Sequence, residues 1–105
     1  MSIVTNTPKP PYYAVIFTSQ KITEDKGYGE MSDKMVELVC KQDGFLGFES
    51  AREELGITVS YWRDEESIKK WKANLEHQEA QKTGKELWYK QYKIRIAKVE
   101  RDYEL

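Results

Sequence analysis

Aromatic rings, one histidine, one asparagine and a late arginine are the side chains here with chemical potential. Most of them fall in or beside one stretch, Ser60 to His77. His77 is the sole histidine, and its ordinary pKa near working pH makes it a candidate general base. Its acidic neighbours Glu76 and Glu79 equally allow a hydrogen-bonded surface residue. Trp62 and Trp71 could stack on a flat substrate, and core packing would also account for both. Arg95 stands among apolar residues, where a guanidinium could hold a carboxylate or phenolate. An ion pair with Glu49 or a subunit contact would occupy it otherwise. Phe17 and Tyr61 are further rings for substrate contact, Tyr61 through its hydroxyl. No cysteine or carboxylate stands at ligand spacing from His77, so no metal site is expected. No flavin or nucleotide motif appears either, and no cofactor is expected.

The elements that must position these residues belong to one domain of 105 residues. A hydrophobic share of 39% supports a modest core, and 3 Trp, 7 Tyr and 3 Phe make that core, or a pocket, aromatic. Net charge is −1, from 17 basic and 18 acidic residues, which leaves no field to hold a phosphate backbone and excludes nucleic acid as a partner. A single cysteine, Cys40, on an apolar helical stripe, precludes an internal disulfide and fits a reducing, cytoplasmic setting. No apolar run approaches the roughly 18–20 residues of a membrane span.

Residues 1–11, with three prolines, read as an extended arm that could lie against a partner subunit, and residues 12–105 as the domain. Tyr12 to Ser19 is β-branched and aromatic, a strand. Tyr28, Met31, Met35, Leu38 and Val39 follow helical steps, closed by Gly44. Phe45–Arg52 and Ile57–Trp62 form a hairpin, with Ile57, Val59 and Tyr61 on one face and Thr58, Ser60 and Trp62 on the other. Asp64 can cap a second helix with Ile68, Trp71 and Leu75 on one side, running to about Lys82. Lys85 to Tyr89 can add a turn, and Gln91 to Arg101 alternates as a last strand. The order is strand, helix, strand, strand, helix, strand. That is an α+β, ferredoxin-like βαββαβ domain, with a four-stranded antiparallel sheet and both helices on one face. The other face, expected to carry Val15, Phe17, Trp62 and Arg95, would be bare, so a second copy is expected to cover it.

Gly44-Phe45-Leu46-Gly47-Phe48-Glu49-Ser50-Ala51, Gly56-Ile57-Thr58-Val59-Ser60-Tyr61-Trp62 and the spacing Ile68-x-x-Trp71-x-x-Asn74-x-x-His77 resemble the antibiotic biosynthesis monooxygenase (ABM) family. The closing Trp88-Tyr89-x-x-Tyr92-x-Ile94-Arg95-Ile96 is similar to one bacterial branch. The resemblance spans about residues 12 to 101. It implies a homodimeric α+β barrel with a pocket between sheet and helices in each subunit. It also implies a cofactor-independent oxygenase acting on a small aromatic or quinone-like molecule, with Trp71 and Asn74 at the pocket positions. Asn74 and His77 would hold or receive a proton, Trp71 would pack on the ring, and Arg95 would stabilise an anion. The haem-degrading branch carries a histidine ten residues after the helix tryptophan. Gln81 stands there, and residues 12–19 lack that branch's asparagine. Two alternatives stay open: a non-catalytic or stress-related dimer that binds a small ligand, and, more remotely, haem binding and degradation.

Overall fold

In a computed structural model, the chain is described over residues 3–22, 28–77 and 89–105, the side chains of Tyr28, Glu76 and His77 excepted. The elements are β1 (Tyr12–Lys21), α1 (Tyr28–Cys40), β2 (Phe45–Arg52), β3 (Leu55–Trp62), α2 (Glu65–His77) and β4 (Tyr89–Val99). The strands form one antiparallel sheet in the order β2-β3-β1-β4. The βαββαβ fold is therefore the expected one. Tyr89, read as helical, instead opens β4. The expected continuation of α2 to Lys82, and the turn over 85–88, lie outside the described residues.

Each element ends where its residues require. After α1, the amides of Lys41 and Gln42 donate to the carbonyls of Leu38 and Val39. The chain then reverses at Gly44, whose φ of 85° is left-handed. A Cβ there would strike the Ser67 side chain, so glycine is required for space as well as for conformation. Asp64 caps α2: its Oδ1 accepts from the Ser67 amide at 2.8 Å and from the Ser67 hydroxyl at 2.7 Å. Those bonds hold the Asp64 carboxyl below its ordinary pKa. A depressed carboxylate stabilises the fold above its unfolded pKa of about 3.9 and loses that contribution as pH falls through the folded value. Asp64→Ala is therefore expected to melt lower than the parent at about pH 6, with the gap narrowing toward about pH 3. Thermal melts across that range check it.

The register decides which face the helices cover. Tyr13, Val15, Phe17 and Ser19 of β1 pair with Trp62, Ser60, Thr58 and Gly56 of β3, and with Lys98, Ile96, Ile94 and Tyr92 of β4. Directly paired residues share a face. Trp62 is wholly buried and stacks on Trp71 of α2, with centroids 6.3 Å apart. Ile68, one helical turn before Trp71, is buried as Trp62 is. This is the helix side.

Two expectations about the faces are thereby corrected. Trp62, Val15 and Phe17 share the helix-side face of the sheet and not the outer face. Arg95 pairs with Ile16, one residue out of phase, and so lies on the opposite face from them. The outer face carries Tyr12, Ile16, Tyr61, Val59, Ile57 and Leu55. Both chain ends hold one end of it. The Thr5 amide donates to Glu49 at 2.9 Å and the Thr5 hydroxyl to the Phe48 carbonyl at 2.7 Å. The Tyr12 hydroxyl donates to Asp102 at 2.6 Å. The arm thus hydrogen-bonds to its own sheet.

Candidate functional site

On the helix side the register builds four rows across the sheet. They are Phe45–Trp62–Tyr13–Lys98, Phe48–Ser60–Val15–Ile96, Ser50–Thr58–Phe17–Ile94 and Arg52–Gly56–Ser19–Tyr92. The first is a closed aromatic wall. Phe45 meets Trp62 edge-on at 5.3 Å, and Trp71 comes down from α2. The middle rows are not what a simple core would choose, because β2 and β3 offer hydroxyls toward the helices. Ser50 and Thr58 hydrogen-bond to each other at 2.8 Å, and Ser60 accepts from the Trp62 indole at 2.9 Å. Beside this polar floor stand Val15 and Phe17, both half-buried. Phe17 packs against Tyr89 at 5.4 Å and Tyr92 at 5.6 Å. Ile94 and Ile96 keep 51% and 54% of their surface exposed beyond them. The result is a trough with a hydroxyl floor and ring walls.

α2 joins β3 to β4, two strands that run parallel with β1 between them, so the helix returns antiparallel to β3. Asn74 lies one turn beyond Trp71 on the same side of the helix, about 4.5 Å farther toward the middle rows. It is half-buried. His77 closes the helix, and its side chain lies outside the described residues.

The sequence-derived candidates therefore fall into two groups. Trp62, Trp71 and Phe17 share the trough, with Asn74 on the trough side of α2. Tyr61 and Arg95 are on the outer face, behind the sheet. Tyr61 donates to Glu49 at 2.5 Å. Burial, and then that hydrogen bond, push its pKa up to about 12, so it stays a neutral donor near physiological pH. Residues passed over as candidates, Ser50, Thr58, Ser60, Arg52 and Ser19, supply the floor and one end of the trough. The parity of the hairpin contained that signal once Trp62 was assigned inward. Among the described residues, no group of three or more His, Cys, Asp or Glu is placed to hold a metal ion. A separate open cleft of about 390 Å³ at the sheet end, lined by Gln20, Lys21, Ile22, Glu53, Glu54 and Lys90, has no ring in it.

The strands and helices together define a ferredoxin-like α+β domain, with hydroxyls and rings sharing the helix-side face of its sheet. The family model for antibiotic biosynthesis monooxygenase matches residues 11–83. The chain belongs to that family. It is 50% identical over 103 residues to the uncharacterized protein YqjZ of Bacillus subtilis, covering 96% of this chain and 90% of that protein. Two solved structures share the fold. One, a conserved protein from Methanosarcina mazei, has a TM-score of 0.70 at 18% identity, over 83% of this chain and 91% of its own. The other, from Pseudomonas aeruginosa, has a TM-score of 0.58 at 17% identity, over 91% and 99%. No described helix is long and apolar enough to cross a membrane.

Proposed function

We propose that this protein is a cofactor-independent oxygenase of a small aromatic molecule, working as a homodimer. The observation that carries the reading is the trough itself: hydroxyls where a sealed core would place aliphatic groups, bounded by Trp62, Trp71 and Phe17. A flat ring system fits between such walls, and the hydroxyls orient its oxygens. Trp71 packs on the ring. Asn74 hydrogen-bonds the oxygen on which charge develops as the substrate loses a proton, and His77 takes that proton. The resulting electron-rich anion reduces dioxygen. A methylene beside the ring becomes a carbonyl, with one oxygen atom entering the product and the other leaving as water. Arg95 and Tyr61 of the same chain, behind the sheet, take no part in that trough.

The dimer uses the outer sheet face, where Leu55 and Ile57 are 55% and 41% exposed. Light scattering should return twice the chain mass of 12.4 kDa. Ile57→Asp should shift it toward the single chain, and a monomeric parent would contradict the assembly. Oxygen uptake with anthrone and hydroquinone substrates tests the chemistry. Uptake with formation of the carbonyl product is expected. Saturable binding of the same molecules without uptake would leave a dimeric binding domain. A Soret shift and loss on adding hemin would point instead to haem turnover.

A further inference from the structure

One row of the outer face is complementary to itself when turned end for end. Glu49 of β2 pairs with Val59 of β3, Val59 with Ile16 of β1, and Ile16 with Arg95 of β4. Because β2 and β4 are the two edges of the sheet, an acid and a base stand at opposite rims. Two aliphatic residues lie between them. At about 4.8 Å per strand, the backbones at the ends of the row are about 14 Å apart. No ion pair joins the two charges within the chain, and Arg95 is exposed. The Glu49 carboxylate, by contrast, is held in place. The Thr5 amide donates to one of its oxygens at 2.9 Å, and the Tyr61 hydroxyl donates to the other at 2.5 Å. Gly47 leaves the room for this, because a Cβ there would strike the Thr5 side chain. The sheet thus fixes an acid at one rim and presents a base at the other.

Two copies stacked through this face can be related by a two-fold axis across the strands or along them. An axis across the strands lays each edge over its own counterpart, acid edge on acid edge and basic edge on basic edge. An axis along the strands turns the row end for end. It sets Glu49 over the partner's Arg95, Val59 over the partner's Ile16, and the reverse on the other half. Stacked sheets lie about 10 Å apart, a gap that a glutamate and an arginine side chain span together. We propose that the homodimer takes the second arrangement, locked by two symmetric Glu49–Arg95 pairs at the rims of an aliphatic centre. An apolar middle with a charged rim is the usual anatomy of an interface, and opposed charges select its register. The inference rests on the outer-face dimer proposed above and adds the residues that set its orientation.

Sedimentation equilibrium, which reads the dimer constant, tests it. Arg95→Glu alters an exposed side chain and turns both pairs repulsive, so it should weaken the dimer at least about tenfold. Glu49→Arg should do the same. Glu49→Arg and Arg95→Glu in one chain should return the constant to within about threefold of wild type, because the coupling is pairwise. Lys93→Gln, one row along β4 and opposite the partner's Ala51, should change it less than about twofold. Circular dichroism verifies folding, and Arg95→Glu alone decides if the double reversal does not fold. An unchanged constant in folded Arg95→Glu would overturn the pairing, as would a folded double reversal no tighter than Arg95→Glu. Either result leaves the dimer itself standing, since Ile57→Asp probes that face independently. A monomeric wild type would remove both.

Discussion

Replacing Trp62 by alanine is expected to destabilise the fold by about 3–5 kcal/mol, the range for deleting a fully buried large aromatic side chain. The position justifies the upper part of that range. Trp62 is 0% exposed, packs edge-on against Phe45 and stacks on Trp71, so it joins the hairpin to α2. Its indole also donates to Ser60, and its loss would leave that hydroxyl without this donor. A domain of this size has roughly 5–15 kcal/mol in total, so the alanine variant should be partly unfolded near its working temperature. Trp62→Phe keeps much of the apolar bulk and should be affected clearly less. Urea unfolding followed by circular dichroism gives the answer, read as a lower midpoint with an unchanged slope. A loss below about 1 kcal/mol would mean that α2 does not seal this end of the sheet.

Asn74→Ala is the second large effect, and it falls on activity. If Asn74 stabilises the charge that develops on the substrate oxygen, its removal should lower the rate of oxygen uptake by about 100-fold or more, the usual effect of deleting one such donor. Stability should change much less, because Asn74 is only half-buried on α2. Substrate affinity should hold while the turnover number falls, the signature of an interaction made mainly in the transition state. Equal losses in affinity and none in turnover would make Asn74 a binding residue only.

The elements are legible in the sequence, because local chemistry dictates them. The alternation from Ile57 to Trp62 is a strand pattern, Asp64 can only improve its bonding by capping the helix after it, and Gly44 ends α1 at a left-handed turn that other residues resist. The identity of the faces was not. A period of two sorts residues into two sets without saying which set meets the helices. Ile57 and Val59 looked like the inner set, yet the single pair Trp62–Trp71 outweighs them, and Ile57 stays 41% exposed. That inversion also displaced Arg95. Its apolar neighbours on β4 face the helices while it does not, since Phe17 pairs with Ile94 and Ile16 with Arg95. The fourth row was hidden for a different reason. Arg52, Gly56 and Ser19 come from three strands, and only the pairing register brings them together. Trp71 and Asn74, by contrast, share a helix and a spacing of three, which sequence displays directly.

In the proposed reading, the working side of the sheet is the helix side, between the hydroxyl floor and α2. The most direct measurement is oxygen uptake with an anthrone substrate in Thr58→Leu, compared with wild type and Lys93→Gln. Leucine at position 58 would add apolar bulk beside Phe17 without altering Trp71 or Asn74; Lys93 lies on the outer face, paired with Thr18. Folded Thr58→Leu should lose uptake and Lys93→Gln should keep it. Full uptake by folded Thr58→Leu would place the chemistry away from the helix-side face.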